Sequence, residues 1–310
     1  MRILVVGAGA LGGYFGGRLL EAGRDVTFLV RERRAGQLAK TGLVVRSKLG
    51  DINIPAPPTV RAEALHEPFD LILLSCKAYD LASAMDSFAP AVEANTAILP
   101  LLNGMAHLDA LAARFGASAV LGGQCLISAT LDAEGRILHL NDMHFMSFGE
   151  QDGSNSARAK AIAATLSGAR FDAHLSAAIL QEMWEKWAFI ATAAGICCLM
   201  RAPFGDIVAA GAADLAVAMH DECCTIAKLK GFAPGKPTIE RSRAMFAAPG
   251  SPIAASMLRD IERGAPIEAD HIVGDLLRRG GGQSRDYLLL RIAYANLKAY
   301  EARRKREKAA

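Results

Sequence analysis

Six residues near the start, Gly7-Ala8-Gly9-Ala10-Leu11-Gly12, constrain this chain more than any other feature. They follow the apolar run Arg2 to Val6 directly and open a helical pattern at Ala10 to Ala22. Each glycine has its own use: Gly7 permits a tight turn, Gly9 lets backbone approach a pyrophosphate, and Gly12 lets helix and strand pack closely. The helix N-terminus adds backbone donors and the positive end of a dipole, so the turn suits an anion. A glycine-rich turn without a ligand is the plain alternative, and it gives no reason for glycine at all three places.

Apolar runs and helical patterns alternate through the first half, as in a parallel α/β sheet. Further strands are expected at Asp25 to Val30, Phe69 to Cys76, Thr96 to Leu102 and Val120 to Leu126. A hairpin is expected from Ile137 to Leu140 and His144 to Phe148, turning at Asn141-Asp142-Met143, and after polar Gln151 to Ser156 a helix precedes a short strand near Arg170 to His174. From Leu175 onward the period changes to helical, with stretches at Ser176 to Met200, Asp214 to Lys230, Pro252 to Arg263, Pro266 to Arg279 and Arg285 to Lys308. Joints lie at Gly231 to Pro237, Pro249-Gly250, Gly264 to Pro266 and Gly280 to Gly282. The expected architecture is α/β: a Rossmann-type, mostly parallel sheet over residues 1–175, then an all-helical domain over 176–310.

With 310 residues, 52% of them hydrophobic, the chain has apolar side chains for two cores. A net charge of +3 is too mild to imply a nucleic-acid or membrane partner. The charge-free stretches Phe115 to Leu131 and Trp187 to Met200 are too short or too glycine-broken to span a bilayer, for which roughly 20 apolar residues are needed. The opening residues read as a strand and not a signal peptide, so a cytoplasmic location is expected. Cys76, Cys125, Cys197, Cys198, Cys223 and Cys224 form no C-x-x-C and read as buried thiols, and the scattered histidines give no metal spacing, so no metal is expected. The basic tail Arg303 to Arg306 suits the negative end of its helix.

At the end of the second strand, where NAD-specific sites carry an acid for the ribose 2′-hydroxyl, the chain reads Arg31-Glu32-Arg33-Arg34. A guanidinium there suits a 2′-phosphate and favours NADP, while Glu32 next to it leaves NAD open. Lys77 and Asn103-Gly104 follow the third and fourth strands, whose C-terminal ends face the ligand crevice in such sheets. A surface lysine and an ordinary Asn-Gly turn are the alternatives.

Taken together, Gly7 to Gly12, Arg31, Cys76-Lys77-Ala78, Leu102-Asn103-Gly104, Trp184-Glu185-Lys186 and Ser256-Met257-Leu258-Arg259-Asp260 followed by Glu268 resemble the ketopantoate (2-dehydropantoate) reductase family over nearly the whole chain. The resemblance implies NADPH-dependent reduction of a 2-oxo acid to a 2-hydroxy acid, in a cleft between the two domains. It also implies roles: Lys186 as general acid, Glu268 on the substrate hydroxyl and beside the cofactor, Ser256 holding substrate, Asn103 near nicotinamide and substrate, and Arg31 with Lys77 on the 2′-phosphate. The residue types suit that chemistry, since an ammonium beside a carbonyl stabilises the charge developing on oxygen and then gives up a proton. From the residues alone, a structural ion pair with Glu182 one turn earlier is the stronger reading of Lys186, and Glu268 after Pro266 is an acid in the first turn of a helix; only the resemblance lifts either above that.

One departure stands out. The family carries asparagines four and eight residues after the catalytic lysine, and this chain has Ile190 and Ala194, the substrate-side positions on that helical face. Apolar side chains there would leave polar groups of ketopantoate unpaired, which favours a more apolar 2-oxo acid. Ketopantoate, the family's default, remains the leading expectation for the substrate, with pantoate as product; the alternatives are a paralogue reducing another, more apolar 2-oxo acid and, from another class, a non-catalytic NADP-binding sensor, which would need neither Lys186 nor Glu268. The apolar helical domain leaves room for a homodimer interface.

Overall fold

The computed structural model describes residues 1–281 and 285–309, so Gly282 of the expected Gly280 to Gly282 joint lies outside the described residues. Two compact units form, one of Met1–Leu102 with His107–Ile179 and the other of Asn103–Ala106 with Leu180–Ala310. Among the described residues no helix is long and apolar enough to cross a membrane.

The first unit runs β1 (Arg2–Val6), α1 (Ala10–Glu21), β2 (Asp25–Leu29), α2 (Glu32–Thr41), β3 (Leu43–Arg46), β4 (Ile52–Ile54), β5 (Thr59–Val60), β6 (Leu71–Leu74), α3 (Leu81–Phe88), β7 (Ala97–Pro100), α4 (Ala106–Phe115), β8 (Gly122–Leu131), β9 (Ile137–Gly149), α5 (Ala157–Leu166) and β10 (Asp172–Leu175). Five strands in the order β5-β2-β1-β6-β7 make an all-parallel sheet. The central strands are continuous apolar runs such as Leu71-Ile72-Leu73-Leu74, buried throughout, as strands covered on both faces must be. A second five-stranded sheet joins β10, β9, β3 and β4, with β8 antiparallel to β9.

Helix α1 is buried from Gly12 to Leu19 because glycines line two of its faces. A Cβ on Gly16 would lie 2.5 Å from the Phe28 ring and one on Gly12 would lie 3.1 Å from Val5, so this pair lets the helix rest on the parallel sheet. A Cβ on Gly13 would lie 2.4 Å from Ile137 and one on Gly17 would lie 3.1 Å from Leu43, so the other pair serves the second sheet. Tyr14, Phe15 and Leu19 join Val5, Phe28, Val45, Ile137 and Phe148 in one core.

The expected hairpin over Ile137 to Phe148 is corrected here. β9 continues through Asn141-Asp142-Met143, which bulge outward opposite Ser128 where the register shifts, and the Asn141 side-chain oxygen accepts from the Ser128 N–H at 3.0 Å. The real turn is Asp132 to Gly135: the Asp132 N–H donates to the Arg136 carbonyl at 3.0 Å, and Gly135 stands at φ +78°. β3 and β4 fall in a segment where no strand was expected.

The second unit contains α6 (Ile179–Met200), α7 (Phe204–Ala209), α8 (Ala213–Leu229), α9 (Lys236–Phe246), α10 (Ser256–Glu262), a π-helical turn at Asp270–Gly274, α11 (Asp275–Arg279) and α12 (Leu288–Ala309). Neither α7 nor α9 was expected from the periodicity. The helix read over Pro266 to Arg279 begins later, at the π-helical turn, and the one read over Pro252 to Arg263 begins at Ser256. Gly195 lets α6 approach α8 and α12, since a Cβ there would stand 2.5 Å from the Met219 sulfur and 3.3 Å from Ala293. Phe189 stacks on Phe246 with ring centroids 5.0 Å apart, and Phe204 meets the same ring edge-on. All six cysteines carry thiols, with Cys125, Cys197, Cys198 and Cys223 buried and Cys76 and Cys224 half-buried.

His220 of α8 is buried at 1% exposure beside Phe246, and burial pushes its imidazole pKa down to about 4. An unfolded chain takes up this proton near pH 6.5, so stability is complete above that value and falls as pH drops toward 4. At pH 4.5 this one group should cost about 2 to 3 kcal/mol relative to pH 7. Urea unfolding at the two pH values should show a smaller acid loss in His220→Leu than in the native chain, and equal losses would contradict the assignment.

Candidate active site

The glycine turn sits at the C-terminal end of β1. Gly7 adopts φ +94°, a conformation costly for any residue with a side chain, and its N–H donates to the Leu29 carbonyl at 2.9 Å. Gly12 faces back into the turn, where a Cβ would sit 2.1 Å from the Gly7 carbonyl oxygen and 2.2 Å from the Ser75 hydroxyl. Gly9 precedes α1 and accepts from the Gly13 N–H at 2.8 Å, and the place its Cβ would fill is open. No side chain caps α1 and no acid occupies its first turn, so the N–H groups beginning at Ala10 and Leu11 remain available to an anion. Ala8 is buried. The turn therefore fits a dinucleotide pyrophosphate: backbone donors, room at one glycine, and no acid in the first turn of the helix.

The cluster after β2 divides by role. Arg34 is an internal clamp, with Nε donating to the Ala8 carbonyl at 2.9 Å and Nη1 to the Gly135 carbonyl at 2.9 Å and to Gln37 at 2.7 Å. Burial, and after it the charge of Arg33, draws its pKa below the usual arginine value. Arg31 instead caps α2 and is 70% exposed, its Nη2 reaching Asp80 Oδ1 at 2.8 Å and the Ser83 hydroxyl at 2.9 Å. Lys77 is half-buried and leads the short turn Ala78–Asp80, in which the Asp80 N–H donates to the Lys77 carbonyl at 2.9 Å. The expected Arg31 and Lys77 are thus joined through Asp80.

In the second unit the residues around Lys186 hold α6 in place. Trp184 stacks on Phe232 at 5.6 Å, and the Glu185 carboxylate accepts from Gln181 at 3.0 Å, the Gly235 N–H at 3.0 Å and the Thr238 hydroxyl at 2.9 Å. Trp187 is fully buried and its indole N–H donates to the Ile272 carbonyl at 2.8 Å, inside the π-helical turn. Lys186, the residue before Trp187, is half-buried, with Ile190 half-buried and Ala194 buried at 3% exposure one and two turns on.

Glu268 lies two residues before the π-helical turn, just ahead of its N-cap Ala269, and its carbonyl accepts from the Ile272 N–H at 2.9 Å, so it precedes this element and is not inside a helix begun at Pro266. His271 of the same turn hydrogen-bonds the backbone of Asn103, while burial foremost lowers its pKa and the nearby Glu268 charge opposes that shift. Gly104, at φ +81°, presses on it: a Cβ there would be 2.9 Å from the His271 carbonyl oxygen. The segments carrying Asn103, Lys186 and Glu268 thereby meet at one turn. Ser256 is exposed at the first position of α10, and its hydroxyl makes no hydrogen bond to the others among the described residues. Asp80, Trp187 and His271 were not singled out from the sequence. Asp80 was legible in principle as the acid closing the Lys77 turn, but the other two reveal themselves only through long-range contacts.

A glycine-lined strand-to-helix turn on a parallel sheet, joined to a helical unit, is the architecture of a dinucleotide-binding oxidoreductase. Residues 3–153 match the family model "Ketopantoate reductase PanE/ApbA" and residues 178–301 match "Ketopantoate reductase PanE/ApbA C terminal". An uncharacterized oxidoreductase, YkpB of Bacillus subtilis, is 39% identical over 304 residues, covering 97% of this chain and 99% of that one. A 2-dehydropantoate 2-reductase of Mesorhizobium japonicum is 29% identical, covering 90% of this chain and 91% of its own. The crystal structure of 2-dehydropantoate 2-reductase from Methylococcus capsulatus superposes with a TM-score of 0.87 at 27% identity, covering 98% of each chain. The chain belongs to the ketopantoate reductase family.

Trp187→Phe keeps the ring but deletes the donor to Ile272 and should lower stability by about 1 to 3 kcal/mol. Urea unfolding measures this, and an unchanged midpoint would mean that the turn does not lean on the indole.

Proposed function

We propose that the chain reduces a 2-oxo acid to a 2-hydroxy acid with NADPH. The observation that carries this reading is the convergence of the Asn103, Lys186 and Glu268 segments on one π-helical turn, in a chain whose family supplies the reaction class. In this reading Gly7, Ala8, Gly9, Ala10, Leu11 and Gly12 hold the pyrophosphate, Arg31 and Lys77 take the 2′-phosphate, and Asn103 and Glu268 lie beside the nicotinamide. When bound, the reduced nicotinamide supplies the two electrons and the hydrogen that reach the carbonyl carbon.

The protein's own task is the oxygen. Lys186 donates a hydrogen bond to the carbonyl oxygen, stabilises the negative charge that grows there, and passes its proton to give the hydroxyl. Glu268 accepts from that hydroxyl, Ser256 holds the substrate, and Asn103 orients it. Ile190 and Ala194 offer only apolar contact, so a hydroxylated chain loses hydrogen bonds that asparagines would supply. Ketopantoate is therefore turned over less well than a branched apolar 2-oxo acid.

Two measurements test this. NADPH oxidation across a panel of 2-oxo acids should give a lower kcat/KM for ketopantoate than for at least one apolar member; ketopantoate ranking first would remove the specificity argument, and inertness throughout would remove the function. Lys186→Ala should cut kcat at least about a hundredfold with NADPH affinity nearly unchanged. Undiminished turnover would refute the role of Lys186.

A further inference from the structure

Arg31 is not an empty socket for a phosphate. Its Nη2 is held at 2.8 Å by Asp80 Oδ1 and at 2.9 Å by the Ser83 hydroxyl, while that hydroxyl donates to the Asp80 carbonyl at 3.1 Å. Asp80 closes the turn that Lys77 begins, so the carboxylate on Arg31 is carried by the same turn as the second cation proposed to hold the 2′-phosphate. We infer that Asp80 sets the nicotinamide cofactor preference, weakening the hold on a 2′-phosphate and giving the unphosphorylated ribose an acceptor. The inference rests on the dinucleotide reading of the preceding subsection.

NAD-binding sites of this fold carry an acid at the end of the second strand, which accepts from the ribose 2′-hydroxyl. Here that place holds Arg31, and the acid arrives instead from the turn after β6, in contact with the same guanidinium. A 2′-phosphate seated on Arg31 must displace Asp80 or lie close to it. Displacement is cheap, because the pair is exposed on the arginine side and solvent-exposed ion pairs are held weakly. Repulsion persists, because the displaced carboxylate stays tethered to the Lys77 turn and opposes each negative charge brought near it. A ribose hydroxyl meets no such opposition and donates to the carboxylate.

Asp80→Asn keeps size and a side-chain oxygen for Arg31 while removing the charge. Direct titration of NADPH and NADH by fluorescence, with no substrate present, should show NADPH binding about five- to tenfold tighter in the variant and NADH binding unchanged or weaker. The gain should persist when Arg31→Ala is added, since the tethered carboxylate repels the 2′-phosphate whether or not that guanidinium is present. A ratio of the two affinities that stays within twofold of the native value, with both cofactors still bound, would overturn the role of Asp80 and leave the dinucleotide reading standing. A gain that vanishes with Arg31→Ala would overturn the direct repulsion by Asp80. A native chain that binds neither nucleotide would remove the dinucleotide reading and this inference together.

Discussion

The first unit depends on how little side chain α1 carries. A helix that lies against sheet on two faces cannot present ordinary side chains to both without pushing one away, and Gly12, Gly16, Gly13 and Gly17 remove the obstacle on each side. Glycine in a helix interior costs roughly 1 kcal/mol against alanine, so four of them are a substantial local penalty. Burial of Tyr14, Phe15 and Leu19 offsets it, at roughly 1.5 to 3 kcal/mol for a large apolar side chain taken out of water. The same closeness fixes the glycine turn, because α1 begins at Ala10 and its start cannot move while Gly12 is seated against Gly7 and Ser75. Arg18 closes the far end: its side chain is fully buried, its Nη2 donates to the Gly50 carbonyl at 2.6 Å, and Nη1 pairs with Glu21 at 3.1 Å.

Two neighbouring arginines, Arg31 and Arg34, show how burial sorts identical charges. Arg34 is spent on backbone carbonyls and ties the turn at Ala8 to the β8–β9 turn at Gly135, a purely structural use of a group that stays charged. Arg31, three residues earlier and exposed, can exchange its partner at little cost. Only a position of that second kind can answer to a ligand. Structure within one short segment, and not the residue type, separates clamp from binding group.

The parallel sheet was legible because its strands are unbroken apolar runs and its glycine turn has fixed chemistry. The second sheet was not. β3 and β4 are four and three residues long, too short to show a period, and their partner β9 hides behind Asn141-Asp142-Met143, whose turn-like composition belongs to a bulge. Helix α7 spans six residues, and α9 follows a proline in a segment that reads as a joint. The same limit applies to the candidate site. Lys186, Glu268 and Asn103 are recognisable by order along the chain, but Trp187 and His271, which hold their segments together, make contacts 85 and 168 residues away.

The π-helical turn shows why those contacts matter. A single turn of this kind is rare, and its wider spacing leaves the backbone in need of outside support. Here support arrives from three directions: Trp187 of α6 donates to Ile272, His271 engages the Asn103 backbone, and α12 contributes the Tyr294 hydroxyl and Lys298 amine, both donating to Asp270, at 2.5 Å and 2.9 Å. Gly274 admits the Tyr294 ring, which a Cβ would meet at 2.9 Å. Each residue of a regular α-helix turns by about 100°, so removing the extra residue would swing everything before the turn, Glu268 included, to another face of the helix. The direction in which Glu268 leaves this element is therefore held by an indole, an imidazole and a phenol.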